Sequence, residues 1–172
     1  TGSGNYPYNQ SVTLTATPDE GYKFSGWSGD TGQLGDVNSA SATILMPASN
    51  LNATANFELK EYTLTVTASE GGDANGTGTY KHFDQTQTVA TPLPGWSFDH
   101  WSGDVSALDS TQNASVSAAI TGNTSVTARF TRNQYSLSVL AGTGGDANGS
   151  GSFDFEDNRS ITANPNPPEG YA

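Results

Sequence analysis

A chain of 172 residues has room for one ordinary domain or for two to three small ones. Its 17 acidic residues against 6 basic ones give a formal net charge of −11, a field that repels phosphate backbones and anionic membranes and argues against both as partners. With no cysteine, zinc–thiolate sites, thiol catalysis and disulfides are removed, and no apolar run is long enough to span a membrane as a helix.

Only 33% of the residues are hydrophobic, and the polar remainder is mostly Thr, Ser, Asn and Gly. Those side chains lose rotamer freedom in helices or compete there for backbone hydrogen bonds, whereas Thr suits the wet face of a strand. An all-β chain (or a β-rich α+β one) is therefore expected. In chain order, Val12, Leu14 and Ala16 alternate with Thr13, Thr15 and Thr17, the period of a strand with one apolar face. Thr17-Pro18-Asp19-Glu20-Gly21 reads as a turn, and Phe24-Ser-Gly-Trp27-Ser-Gly-Asp30 as the next strand and its exit. Phe57 closes this first stretch. Tyr62, Leu64, Val66 and Ala68 then alternate with Thr63, Thr65 and Thr67. Gly71-Gly72-Asp73-Ala74-Asn75-Gly76 reads as a hairpin turn, with Asn-Gly supplying positive φ. Thr91-Pro92-Leu93-Pro94-Gly95 is a further turn, followed by Phe98-Asp-His-Trp101-Ser-Gly-Asp104. Ala114, Val116, Ala118 and Ile120, then Val126, Ala128 and Phe130, mark two more strands.

The chain repeats itself. Tyr62–Tyr80 returns as Tyr135–Phe153, 73 residues on; Trp27 returns as Trp101 after 74, and Phe57 as Phe130 after 73. Residues 1–60 form a first repeat without an opening strand, 61–132 a complete second one, and 133–172 the first half of a third, ending just past Gly170-Tyr171, which match Gly95-Trp96. With no signal-peptide pattern at Thr1, the sequence reads as a piece of something longer.

Tyr62-Thr-Leu-Thr-Val, Gly71-Gly72, Tyr80, Ala90-Thr-Pro92, Phe98-x-x-Trp101-Ser-Gly-Asp104 and Val126-Thr-Ala-Arg-Phe130 together resemble the divergent internalin-B-type B-repeat, the bacterial repeat domain. Val12 to Asp30 of the first repeat matches more closely still. The resemblance implies small antiparallel, β-grasp-like units strung in tandem in bacterial surface proteins, adhesins and secreted polysaccharide-active enzymes. It implies an extracellular or cell-surface location and neither catalysis nor a shared ligand.

Trp27, Trp101, Phe24, Phe98, Phe57 and Phe130 are the expected core, since aromatic side chains bury large areas in small domains. Trp96 stands where the other repeats have Tyr22 and Tyr171, and Asp99-His100 replace Ser25-Gly26. An exposed Trp96 beside Asp99 and His100 is the candidate sugar-stacking site; the alternative is that it covers the domain end as Tyr22 does. Asp73 and Asn75, repeated as Asp146 and Asn148, have the oxygen-rich make-up of a calcium loop, and calcium is the one cofactor considered. They lack the bidentate Glu of an EF-hand, which favours a plain turn. Asp30, Asp36, Asp104 and Asp109 lie in loops and suit turn hydrogen bonds. His82 and His100 are the only histidines, and nothing resembles a nucleophile elbow.

The expected function is a non-catalytic extension or adhesion segment meeting a glycan or a host or neighbouring cell surface. The alternative is a carbohydrate-binding module attached to a polysaccharide-active enzyme. Gln134–Leu140 is also expected to complete the first repeat by strand exchange between copies. The competing reading has Tyr62–Ala68 closing the first repeat and Tyr135–Ala141 the second.

Overall fold

A computed structural model describes residues 2–166, so Gly170-Tyr171 lie outside the described residues. The protein is 54% strand and 2% helix, which makes it all-β. No helix is long and apolar enough to cross a membrane among the described residues.

The first repeat contains β1 (Ser11–Thr15), β2 (Tyr22–Gly29), β3 (Ser41–Leu45) and β4 (Ala53–Leu59). The second contains β5 (Glu61–Ala68), β6 (Gly72–Asn75), β7 (Gly78–Lys81), β8 (Gln85–Pro92), β9 (Trp96–Gly103), β10 (Ser115–Ala119) and β11 (Thr124–Arg132). The third contains β12 (Gln134–Leu137), β13 (Gly145–Asn148), β14 (Gly151–Asp154) and β15 (Thr162–Pro165). In the second repeat these strands make a four-stranded sheet, β7-β5-β11-β9, and a three-stranded sheet, β10-β8-β6. Among the described residues the strands of the first repeat pair as β1-β3 and β2-β4, and those of the third as β12-β14 and β13-β15.

Most neighbours are antiparallel, but β5 and β11 run in the same direction. The Thr63 N–H donates to Asn123 Oδ1 (2.9 Å), the Thr67 and Thr127 hydroxyls meet at 2.8 Å, and the Phe130 N–H donates to Ser69 Oγ (3.2 Å). The sequence separation of these partners stays at 60 or 61 along the strand, whereas antiparallel partners would change it by two at every step. A parallel pair needs a crossover, and the residues between the two strands supply it by building the second sheet.

The spacing Phe-x-x-Trp would put the two rings on opposite faces of a regular strand. A β-bulge prevents that. Phe98 pairs with Phe130 and His100 with Arg129, leaving Asp99 as the extra residue; in the first repeat Phe24 pairs with Phe57 and Gly26 with Asn56, leaving Ser25. The parity shift brings Phe98 and Trp101 to one face with ring centres 5.8 Å apart, and Phe24 and Trp27 to 5.6 Å.

The chain folds as two compact units that cut across the repeats: Thr1–Leu64 with Gly78–Gln85 and Ala119–Thr124, and Thr65–Thr77 with Thr86–Ala118 and Ser125–Ala172. In the second unit Val66, Ala90, Trp101, Val116, Ala118, Val126, Ala128 and Phe130 are buried, one face of each sheet. In the first unit Val12, Ala16, Ala42, Ile44, Leu64 and Ile120 are buried. The core expected from sequence is uneven. Trp101 is 2% exposed and Phe130 8%, but Trp27 is only half-buried and Phe57 is 39% exposed. The reason is physical: β11 has β5 as well as β9 beside it, while among the described residues β4 has β2 alone.

This difference sets a mutational expectation. Trp101→Ala should lower the unfolding free energy by about 3–5 kcal/mol, as full removal of a buried aromatic does, and Trp27→Ala by clearly less. Denaturant unfolding followed by circular dichroism measures both, and equal losses would contradict the assignment.

Candidate functional site

Trp96 opens β9 after the turn in which its N–H donates to the Leu93 carbonyl (3.0 Å). Its indole rests on Gly71, where the backbone has φ +98° and any Cβ would run into the ring. The Arg132 guanidinium, its cross-strand partner, lies over the ring with Cζ 5.2 Å from the centre. Trp96 is thus half-buried, contrary to the exposure expected of it, because the turn after β5 supplies a floor. Asp99 and His100 form an exposed pair, Oδ2 to Nδ1 3.0 Å. The bulge at Asp99 leaves Trp96 on the face of Phe98 and Trp101 and turns His100 to the other face. The three candidate sugar-binding residues therefore do not converge.

Asp73 and Asn75 do not form a loop. They lie in β6, paired with Thr91 and Val89, and both point to solvent. Asp146 and Asn148 repeat this in β13 against Asn164 and Thr162. The turns sit one residue outside, at Gly71 and at Gly76 with φ +117°. Strand residues two apart share a face and do not form the enclosing loop from which calcium sites are usually built. Among the described residues no three His, Asp or Glu side chains gather in metal-binding geometry.

The loop carboxylates hold hairpin ends. Asp30 Oδ2 accepts from the Asn52 N–H (2.9 Å), and Asp104 Oδ2 from the Ser125 N–H (3.1 Å). Asp36 and Asp109 accept from the Asn38 and Ser117 N–H groups. The Lys23 ammonium is held above its usual pKa by its hydrogen bond and charge interaction with Glu58, 3.0 Å away.

Sequence reading missed a junction that occurs twice. In the first unit the Lys60 N–H donates to the Gly21 carbonyl (2.8 Å) and the His82 N–H to the Lys60 carbonyl (2.8 Å). The His82 ring fills the space beside Gly21, whose φ of +77° and missing Cβ make room for it. In the second unit Asn133 donates to Gly95 (2.8 Å), Phe155 donates to Asn133 (2.9 Å), and the Phe155 ring fills the space beside Gly95, φ +79°. The signal was available in the 73-residue spacing of His82 and Phe155, but their different chemistry hid it. His82 is 3% exposed, and among the described residues neither ring nitrogen has a hydrogen-bond partner.

The first repeat also holds an open groove of about 790 Å³, lined by Val12, Leu14, Trp27, Ile44, Ala55 and Phe57 among others.

The sequence profile of the divergent InlB B-repeat domain matches residues 1–61 and, again, 62–134. The chain belongs to the divergent InlB B-repeat family. No curated protein and no solved structure matches it significantly. Within these B-repeats the aromatic positions, the bulge and the glycine at the end of the turn all recur, while Trp96, Asp99 and His100 belong to the second B-repeat alone.

Two measurements check these assignments. Trp96→Ala should cost about 1–3 kcal/mol, part of the loss for a fully buried ring, while calcium or chelator leaves the melting temperature unchanged; a calcium-dependent rise would contradict the strand geometry. His82→Phe, which copies Phe155, should stabilise the protein by about 1–3 kcal/mol because it removes unsatisfied buried nitrogens. A loss of stability in denaturant titration would contradict that account.

Proposed function

We propose that these B-repeats form a non-catalytic extension and adhesion segment of a bacterial secreted or cell-surface protein, holding a binding end at a set distance from a glycan or cell surface. The observation that supports this reading most is the repeated junction. The same backbone hydrogen bonds and the same ring-on-glycine packing occur at Gly21 and at Gly95, which is what a modular spacer needs at each step. The charge of −11 supports it too, by keeping a long array soluble.

An enzyme draws little support. His82 is buried against a glycine, and His100 is paired with its own sequence neighbour on an exposed strand. The carbohydrate-module alternative rested on an open Trp96, and that ring is taken up by Gly71 and Arg132.

The spacer reading is tested at one junction. Ser49→Cys and Thr121→Cys place spin labels on exposed loop sites, one in the first repeat and one in the second, both in the first compact unit, in a chain with no other cysteine. A narrow distance distribution is expected, broadened by Gly21→Val, whose β-branched side chain fits neither the positive φ nor the space held by His82. A broad distribution without that change would rule out a fixed spacer.

A further inference from the structure

The three arginines of the chain are not equivalent. Arg132 has Glu70 at 3.8 Å and Arg159 has Asp157 at 3.2 Å, whereas among the described residues Arg129 has no carboxylate partner, in a chain with 17 acidic residues. Exposure alone would mean little, but the head group of Arg129 is fixed. Its Nε donates to Ser102 Oγ (2.9 Å), and the Ser102 hydroxyl donates in turn to the Thr127 carbonyl (3.3 Å). The guanidinium is thereby tied to the sheet through Nε, while Nη1 and Nη2 have no protein partner among the described residues.

His100 is the cross-strand partner of Arg129, on the same outer face of β9 and β11. Its Nδ1 is held by Asp99 Oδ2 at 3.0 Å, and among the described residues Nε2 has no partner. The bulge produces this arrangement: the extra residue, Asp99, brings a carboxylate beside the imidazole while His100 keeps its register with Arg129. The first repeat supplies a comparison inside the same chain. Asn56 stands at the position of Arg129, and its Nδ2 donates to Ser28 Oγ (2.9 Å) as Arg129 donates to Ser102. Ser25 and Gly26 stand there in place of Asp99 and His100. A short amide therefore suffices for the contact with the serine, and the guanidinium exceeds what the sheet needs.

We infer that this face of the second B-repeat binds the carboxylate of an acidic sugar, a uronic acid residue of a glycan. The free Nη pair is a planar fork that matches a carboxylate with two parallel hydrogen bonds. His100 Nε2 and the hydroxyls of Thr127 and Thr131, which share the face of Arg129, are placed to meet ring hydroxyls. The net charge of −11 narrows the class further. A densely sulfated or phosphorylated polymer is repelled by that field, while one carboxylate on an otherwise neutral ring meets little of the repulsion. The polar neighbours also suit a sugar better than the apolar side chains of a peptide. The inference holds whether or not the repeats act as a spacer.

Calorimetric titration of the 172-residue chain tests it, with trimers of galacturonate, glucuronate and mannuronate as probes and their methyl esters as controls of the same shape. At least one acid trimer should bind saturably, and its ester at least about tenfold more weakly, since a charge-assisted contact is lost. Arg129→Asn, which copies Asn56 and keeps the hold on Ser102, should weaken that binding by a similar factor with unchanged circular dichroism. His100→Ala should weaken it less. Arg132→Gln, at a cation already engaged by Glu70 and Trp96, should leave it unchanged. The inference is overturned if no acid trimer binds, if the ester binds as well as the acid, or if Arg129→Asn binds like the wild type. A tetra-aspartate peptide that binds as tightly as the sugar overturns it too.

Discussion

The parallel pairing of β5 with β11 is the interaction on which the rest of a B-repeat depends. It closes the four-stranded sheet, and its apolar face lies over the positions that Trp101 and Phe130 occupy. The chain contains its own control. The first repeat has the same aromatic positions and the same bulge, but among the described residues β4 has a neighbour on one side alone, β2, and there Phe57 and Trp27 stay partly in water. Burial of the aromatic cluster therefore follows from one strand being present rather than from the cluster's own sequence.

Much of this architecture was legible in the residues. Period-two alternation located the strands around Val12–Ala16, Tyr62–Ala68 and Val126–Phe130, and the 73-residue spacing exposed the repeat. What alternation could not reveal was the bulge. The Phe98-x-x-Trp101 spacing breaks the strand period, and only the extra residue at Asp99 reconciles it with a shared face. The turn composition of Gly71–Gly76 misled for a related reason. The glycines at its ends do turn the chain, yet Asp73 and Asn75 between them are the solvent side of an edge strand, where polar residues guard against unwanted pairing. Trp96 was misjudged because its floor, Gly71, lies in a different turn, a contact no local pattern encodes.

Packing and repetition also divide the chain differently. The repeats are units of sequence, but Gly78–Gln85 and Ala119–Thr124 pack with the first compact unit. Gly21 explains part of this. Its missing side chain lets the turn carrying His82 settle against the preceding hairpin, with Lys60 hydrogen-bonded to both. A B-repeat so arranged ends its own strands with a socket that the next repeat fills.

The crossover between β5 and β11 has a consequence for how such a chain reaches its native state. The partners of this pair stand about 60 residues apart, so a B-repeat emerging from the ribosome has β7 to pair with one edge of β5 but leaves its other edge open until nearly the whole length has been made. During that interval B-repeats in tandem present similar opening strands, as Tyr62–Ala68 and Tyr135–Ala141 do, and a waiting β11 has more than one candidate. Tandem identity, which simplifies the spacer, thereby invites mispairing between neighbours while folding is under way. Sequence divergence between successive repeats, such as Thr67 giving way to Leu140 and His82 to Phe155, reduces that degeneracy and favours each strand closing its own sheet.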